Sequence, residues 1–329
     1  MYKNQRIKSF LLVIILMTMF ISCKDKPAPA TVILDTDIAP DYDDVGALAM
    51  LHALADKGEA EILATISSNA FKTTAPTLSV INTYFKRPDL PVGVLKDAQP
   101  NYNCPRLWAE GIIAKYPHSI KSNEEAMDAV KLYRNVLSSQ PDTSVTIVTI
   151  GYFTNLANLL NSQSDEFSSL NGQQLVKKKV KCLVSMAGGI DSTGISGYEF
   201  NIMADIPASQ RVFNDWPTPV TLSGFEIGVN IFTGMKLINN VSIQNSPVKD
   251  AYHISITYDG TKEGRYSWDQ TAVLVAVRGI TPYFNYRNLN FIIKNDGKDS
   301  IIPGNKITYL IAKQKPEQLE TIIEELMMN

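Results

Sequence analysis

The sequence predicts an α/β fold, in which a mainly parallel, doubly wound (Rossmann-like) sheet carries helices on both faces of a single domain. Short β-rich runs alternate with helical patterns from residue 31 onward. Hydrophobic residues make up 45% of the 329 residues, which is enough to bury a large core. No internal repeat or second tether interrupts the chain after residue 31.

The N-terminal segment resembles a bacterial lipoprotein signal. The first nine residues carry three basic side chains, and the apolar run 10–21 that follows is too short to span a bilayer. Cys23 then precedes a charged, Pro/Ala-rich stretch. This pattern predicts a signal peptide over 1–22, a lipidated Cys23 with a tether over 23–30, and a folded domain over 31–329. The protein is then a membrane-anchored lipoprotein that faces the periplasm or the cell surface; a plain signal peptide is the alternative.

Six β-rich runs are predicted as strands of the sheet, because each combines β-branched and aliphatic residues in a short segment. They span residues 31–37, 61–67, 90–95, 144–150, 180–186 and 218–223. In a parallel sheet, ligands bind beyond the carboxyl ends of the strands. Polar residues that directly follow these runs are therefore the candidates for function.

The segments between the strands are mostly predicted as helices. Residues 44–57 and 124–137 each place apolar side chains on one helical face. The polar segment 165–176 is predicted as a loop, and residues 237–269, which mix aromatic and charged side chains, as an irregular region suited to a lid.

Charge and composition exclude two classes of site. The formal net charge of −2 gives no electrostatic reason to bind nucleic acid. Three cysteines and three histidines form no cluster with zinc-ligand spacing. Any metal ion is therefore expected to have oxygen ligands.

An acidic loop follows the first predicted strand. Its sequence DTDIAPDYDD contains the five carboxylates Asp35, Asp37, Asp41, Asp43 and Asp44. Carboxylates this close repel one another unless a cation neutralises them. Oxygen ligands without Cys or His suit Ca²⁺ or Mg²⁺.

Three other interpretations of this loop compete with a metal site. Asp43 or Asp44 could open the next helix as a cap, which explains two of the carboxylates at most. An EF-hand is excluded because Pro40 occupies the position of its glycine. A haloacid-dehalogenase phosphatase also has two aspartates after a first strand, but Ala39 stands where that motif needs Thr or Val.

The loop and the motifs after it resemble the inosine-uridine-preferring nucleoside hydrolase family. That family has DTD, a short spacer and DD after its first strand. Further family motifs occur in the same order as TISSN (65–69), PDLPVGV (88–94), IVTIGYFTNLANLL (147–160), VSMAGG (184–189), EFNIMAD (199–205) and SWDQTAVLVAV (267–277). An ordered set of separated motifs is more specific than any single one.

The resemblance implies a Ca²⁺-dependent enzyme that hydrolyses the N-glycosidic bond of ribonucleosides and releases ribose and a free base. By resemblance, Asp37, Asp44 and Asp269 bind Ca²⁺ together with the backbone carbonyl of Ile150. Asp37 is then also the general base that activates water.

The resemblance also implies a sugar pocket. Asp43 accepts hydrogen bonds from ribose hydroxyls, while Asn69, Glu199 and Asn201 complete the polar surface and Met186 packs against the sugar. The partner is then a small-molecule ribonucleoside, with the membrane contacted only through the lipid on Cys23. A homo-oligomer is left open. A non-catalytic nucleoside- or sugar-binding lipoprotein on the same scaffold is the alternative function, and a metal phosphatase is a more distant third.

Three departures from the family pattern bear on substrate binding. The spacer between DTD and DD has five residues instead of three, so the role of Asp41 is unassigned. Thr193 stands where many members have Asn. Trp268 stands where this branch often has His; it cannot donate a proton to the departing base as His can, but it can stack on a purine.

Overall fold

The computed structural model describes residues 28–190 and 196–329. The predicted signal peptide, Cys23, most of the predicted tether and Thr193 therefore lie outside the described residues. In the part that is described, no helix has the length and apolar character needed to cross a membrane.

The strands follow the chain as short segments. They are β1 (Ala30–Thr36), β2 (Ala60–Ser67), β3 (Val92–Val94), β4 (Met127–Asp128), β5 (Val145–Thr149), β6 (Val180–Met186), β7 (Ser196–Gly197), β8 (Val220–Ser223), β9 (Phe232–Thr233), β10 (Arg265–Tyr266), β11 (Phe284–Ile293) and β12 (Asp299–Ala312). The main sheet has the order β11-β12-β8-β6-β5-β1-β2-β3-β4, and β7 pairs with β12. Its pairings are parallel except those of β12 with β11 and β7, while β9 and β10 form a separate antiparallel pair.

Helices occupy the connections between the strands. They are α1 (Asp43–Asp56), α2 (Thr74–Tyr84), α3 (Trp108–Lys115), α4 (Ala129–Ser139), α5 (Thr154–Asn161), α6 (Gly172–Lys179), α7 (Phe200–Ala204), α8 (Ile206–Asp215), α9 (Phe225–Gly228), α10 (Met235–Asn239), α11 (Pro247–Asp259), α12 (Trp268–Arg278) and α13 (Pro316–Met327).

Strand β1 lies near the middle of the sheet and separates two cores. Leu34 packs in the core formed with α1, α2, α3, α11, α12 and α13. Its neighbour Ile33 points to the other core, formed with α4, α5, α6 and α8. Successive side chains of a strand point to opposite faces, so a strand covered on both sides is apolar along its length. The predicted single-domain α/β fold with a mainly parallel sheet and helices on both faces is confirmed.

All six predicted strands are present, with ends displaced by two residues at most. The long hairpin of β11 and β12 was missed. Strand β11 carries Asn285, Asn288 and Asn290, a residue type that is depleted in strands, and its exposed face interrupts the apolar pattern.

Three predictions about the connections were wrong in part. The predicted loop 165–176 contains the start of α6, where Asn171 and Gln174 form a capping box that the polar composition concealed. The predicted helix 124–137 begins only at Ala129, because Asp128 caps it by accepting a hydrogen bond from the backbone of Lys131.

The region 237–269 is more regular than expected. It contains α11, which begins after the Ser246 cap with Pro247 in its first turn and ends at Gly260 in a left-handed conformation. Tyr252 of this helix is buried in the core, so α11 is part of the packed fold. Only the end of this region, from Arg265 onward, borders the cavity described next.

Candidate functional site

A cavity of about 360 Å³ opens at the carboxyl edge of the sheet. Asp37 follows β1, Ile150 follows β5 and Met186 ends β6, and all three line this cavity. It also receives residues from distant parts of the chain. These are Asp41, Asp43, Asp44, Tyr198, Glu199, Phe200, Asn201, Phe225, Arg265, Trp268 and Asp269. The cavity thus lies where ligand binding was expected, beyond the carboxyl ends of the strands.

Three buried carboxylates meet in the cavity. Oxygens of Asp43, Asp44 and Asp269 all lie within 4.8 Å of one another. Asp43 and Asp44 stand in the first turn of α1, and Asp269 in the first turn of α12. Two helix N-termini therefore converge on the cluster, and their dipoles favour negative charge there. The N-caps of these helices are Tyr42 and Ser267, so the interpretation of the aspartates as caps is excluded.

Asp37 lies beside this cluster without belonging to it. It lines the same cavity. Its pKa is raised to about 7, chiefly by burial and also by the charges of Asp41 and Asp43, while a hydrogen bond from Tyr152 opposes the shift. Asp44 is held from behind by the hydroxyl of Thr36, which donates a hydrogen bond to it. Asp37 is thus placed to share a proton with a molecule in the cavity at neutral pH.

Three of the predicted sugar-binding residues, Met186, Glu199 and Asn201, line the same cavity. The side-chain amide of Asn201 donates hydrogen bonds to the carbonyls of Ile150, at 3.1 Å, and of Met186, at 3.2 Å. Glu199 caps α7 by accepting from the backbone nitrogens of Asn201 and Ile202. Burial raises the pKa of Glu199 to about 7. These four predicted residues are brought together as the motif order required.

Asn69 has a different position from the one predicted. Its side-chain nitrogen donates to the carbonyls of Asp37, at 3.1 Å, and Tyr102, at 2.9 Å. Its oxygen accepts from the backbone nitrogens of Phe71 and Tyr102. Asn69 is fully buried and does not line the cavity. In this structure it holds the backbone of Asp37 in place.

Arg265 is a cavity residue that the sequence analysis missed. Its Nε donates to Asp43 at 3.2 Å, and its Nη2 pairs with Asp41. Burial alone would lower the pKa of Arg265, but Asp43 and Asp41 raise it. Position 265 belongs to none of the motifs quoted above. The one sequence feature that could have indicated Arg265 is its position three residues before Trp268. Arg106 lies 3.5 Å from the same carboxylate. The two arginines therefore neutralise Asp41 in the lengthened loop.

Aromatic side chains form another part of the cavity wall. The indole nitrogen of Trp268 donates to the carbonyl of Phe225 at 2.9 Å. The rings of Phe225 and Tyr266 lie 5.1 Å and 4.8 Å from that of Trp268. Tyr198 and Phe200 also border the cavity. Tyr198 is more than half exposed and Phe200 is half exposed. This wall is apolar and able to accept a planar ring.

The donor set fits a hard divalent cation. Burial, and then repulsion from the neighbouring aspartates, raises the pKa of Asp269 well above its usual value. The pKa of Asp44 is raised for the same reasons. A cation relieves both effects, and carboxylate and carbonyl oxygens are ligands that Ca²⁺ and Mg²⁺ prefer. Asp43, Asp44 and Asp269 are therefore able to hold a metal ion, with Asp37 and the Ile150 carbonyl in the same cavity.

Fold and site together define an α/β enzyme with a carboxylate-rich site, able to hold a metal ion, at the carboxyl edge of its sheet. The model of the family described as inosine-uridine preferring nucleoside hydrolase matches residues 32–316. The chain therefore belongs to this family, as its motifs indicated, and it is an N-glycosyl hydrolase that acts on nucleosides.

Solved structures with the same fold are distant in sequence. A purine-preferring ribonucleoside hydrolase from Gardnerella vaginalis is 18% identical, with 91% of this chain and 99% of that chain covered and a TM-score of 0.69. The plant nucleoside hydrolase PpNRh1 is 19% identical, with the same coverage and a TM-score of 0.67. An inosine-uridine preferring nucleoside hydrolase from Bacillus anthracis is 15% identical, with the same coverage and a TM-score of 0.67. No curated protein matches the sequence.

Proposed function

We propose that this protein hydrolyses the N-glycosidic bond of ribonucleosides in a Ca²⁺-dependent reaction that releases ribose and a free base. The observation that carries the proposal is the meeting of Asp43, Asp44 and Asp269 within 4.8 Å, in a cavity that also contains Asp37. Family membership supplies the reaction type. The chemistry of the donor set supports the choice of cation.

Each residue of the cavity has a separate role in the reaction. Asp37 takes the proton of the attacking water, and its raised pKa suits a base that works near neutral pH. Glycosidic cleavage gives the sugar oxocarbenium character, which the surrounding carboxylates stabilise. Asn201 and Glu199 hold the sugar, and Asp43 accepts a hydrogen bond from a ribose hydroxyl. Asp37, Asp44, Asp269 and the Ile150 carbonyl would hold Ca²⁺, which would supply acidification and orientation of the attacking water.

The same arrangement supports selection of ribonucleosides over deoxyribonucleosides. A site built to bind a hydroxyl rejects an analogue that lacks it, because its buried polar groups are left unpaired. Asp43 is such a group, since it is buried and negatively charged when paired with Arg265. The aromatic wall around Trp268 favours a purine as the base.

The test is release of reducing sugar by a purified form spanning residues 24–329. Inosine, adenosine, uridine and 2′-deoxyinosine are assayed with Ca²⁺ and with chelator, and bound metal is measured directly. Ribonucleosides are expected to be hydrolysed only with the cation, and Asp37→Ala to bind inosine without turnover. Nucleoside binding by the unaltered protein without sugar release would identify a receptor instead, and equal turnover of inosine and deoxyinosine would contradict the role of the ribose hydroxyls.

We also propose that the enzyme is a lipoprotein anchored through Cys23 and facing the periplasm or cell surface. A basic start, an apolar run and a cysteine before a charged tether support this. The full chain is expected to fractionate with membranes and to be released by Cys23→Ser. Membrane association that survives this substitution would contradict the anchor.

A further inference from the structure

Arg265 is fixed at the cavity by four neighbours. Its guanidinium bridges Asp41 and Asp43. Its central carbon lies 5.2 Å from the ring centre of Tyr42 and 4.9 Å from that of Trp268. Only 11% of its side chain is exposed, and it lines the cavity. Burying a cation is costly unless it is paired, so this position is built around the guanidinium.

The geometry leaves donors for a ligand. A guanidinium carries five N–H groups, and the two carboxylates engage its Nε and Nη2. Among residues 28–190 and 196–329, Nη1 of Arg265 makes no hydrogen bond. Asp41 and Asp43 thus orient the guanidinium of Arg265, and its Nη1 group remains available to a ligand in the cavity.

The position of Arg265 relative to a nucleoside follows from the proposed function, on which this inference rests. In that proposal Asp43 contacts a ribose hydroxyl and Trp268 stacks on the base, and Arg265 contacts both Asp43, at 3.2 Å, and the ring of Trp268. The base is attached to the carbon next to the one that bears the 2′-hydroxyl. The guanidinium is therefore on the side of the cavity that receives the base.

We infer that Arg265 is a catalytic residue that binds the departing base and stabilises the negative charge that develops on it. The bond between C1′ and the base nitrogen breaks, and its electron pair goes to the base. The water oxygen bonds to C1′, and the water proton goes to Asp37. Arg265 keeps all of its protons. The base leaves hydrogen-bonded to Arg265 and takes a proton from solvent, and Asp37 returns its proton to solvent.

This role accounts for the absence of a histidine before the last metal-site aspartate. A fixed cation close to developing negative charge stabilises the transition state without transferring a proton. Trp268, which occupies the place of that histidine, packs against Arg265 and helps to hold it. The competing explanation is that Arg265 only positions Asp43.

The two explanations predict different dependences on the leaving group. 4-Nitrophenyl riboside releases a phenolate that needs little stabilisation, whereas inosine releases a poor leaving group. Arg265→Gln is expected to lower kcat/KM for inosine by about 100-fold or more, and kcat/KM for the nitrophenyl riboside by less than about fivefold. Equal losses on both substrates would show that Arg265 acts only through Asp43 and would overturn the inference.

Arg106→Gln is the matched control. Arg106 also faces Tyr42, at 5.4 Å, and pairs with Asp41, but it does not line the cavity. We expect this variant to keep the wild-type ratio of the two kcat/KM values within about threefold; a change in that ratio as large as the change in Arg265→Gln would contradict the assignment.

A second variant keeps the inference testable if Arg265→Gln does not fold. Arg265→Lys keeps a cation between Asp41 and Asp43 but loses the planar fork. A smaller loss that is still selective for inosine is expected, and a loss of equal size on both substrates would overturn the inference. If the unaltered protein hydrolyses neither substrate, it is the proposed function that fails.

Discussion

At the scale of single residues, two carboxylates of the loop after β1 have different surroundings. Asp43 is buried and close to Asp44 and Asp269. The side chain of Asp41 is 41% exposed, and its charge is paired with Arg265 and Arg106. The two additional residues of this loop therefore do not add a ligand to the cluster.

This difference predicts unequal effects on metal binding. Asp43→Asn removes a buried charge next to the proposed ligands Asp44 and Asp269 and is expected to lower Ca²⁺ affinity by about tenfold or more, whereas Asp41→Asn removes a screened charge and should change it by less than about threefold. Titration calorimetry of the two variants measures both values. Equal losses would mean that the metal is not held next to Asp43.

The environment of Trp268 predicts a selective loss of base binding. Its ring borders the cavity and is fixed by the hydrogen bond to Phe225. Trp268→Ala removes a stacking surface worth about 1 kcal/mol, so inosine affinity should fall roughly fivefold or more, while the affinity for free ribose is kept. Calorimetry in the non-hydrolysing Asp37→Ala background gives both constants, with Trp268→Phe as the control that keeps an aromatic face. Unchanged inosine affinity in Trp268→Ala would exclude stacking.

At the scale of elements, the turn between β5 and α5 fixes the position of Asp37. A Cβ on Gly151 would lie 2.3 Å from the backbone nitrogen of Asp37 and 2.6 Å from the hydroxyl of Ser68. The chain after β1 therefore approaches this turn more closely than any side chain at position 151 allows. The backbone nitrogen of Asp37 cannot move aside as the end of a flexible side chain can.

Gly151→Ala is expected to disturb the site without removing a ligand. The overpacking should destabilise the fold by about 1–3 kcal/mol and lower Ca²⁺ affinity by roughly tenfold, because Asp37 is displaced. Thermal unfolding and calorimetry measure the two effects. Gly111→Ala in α3 is the control, since its Cβ would meet only the terminal Cδ1 of Ile254, at 3.1 Å, and alanine favours a helix. A Gly151→Ala protein that behaves like this control would refute the close approach.

The elements also show what sequence patterns reveal. Strand β1 was predictable because it is buried on both faces and its central residues 32–34 are therefore apolar. Helix α6 was not, because its signal is the local capping pair Asn171 and Gln174 and not an apolar face. The β11–β12 hairpin was concealed by asparagines on its exposed side.

At the scale of the whole molecule, the site depends on contacts that sequence spacing does not encode. Asp37, Asp44 and the distant Asp269 were predicted as a group from the family resemblance, and the structure brings them into one cavity. The bridge of Arg265 to Asp43 joins residues 222 positions apart and belongs to no motif. The position of Asn69 behind Asp37 likewise depends on the path of the backbone around Tyr102.

Because several carboxylates are buried, the stability of the folded protein is expected to depend on both the pH and the presence of a metal ion. Burial raises the pKa of Asp37, Asp35 and Glu199 to about 7 in the folded protein, whereas unfolded carboxyl groups titrate near 4. Between about pH 4 and pH 7 the folded state thus binds more protons than the unfolded state. Stability without metal should fall as the pH rises through this window.

Thermal unfolding at pH 5, 6.5 and 8, in chelator and in excess Ca²⁺, tests this linkage. In chelator the Tm is expected to decrease as the pH rises. Ca²⁺ binds the ionised carboxylates, so it should raise the Tm more at pH 8 than at pH 5, by several degrees at 100 times its Kd. Asp35→Asn is the control, because Asp35 bonds with Tyr133 and Asn155 outside the cavity; it should weaken the pH dependence in chelator and leave the Ca²⁺ effect in place. A Tm in chelator that rises toward pH 8, or a Ca²⁺ effect equal at both extremes, would contradict the coupling of the buried aspartates to a cation.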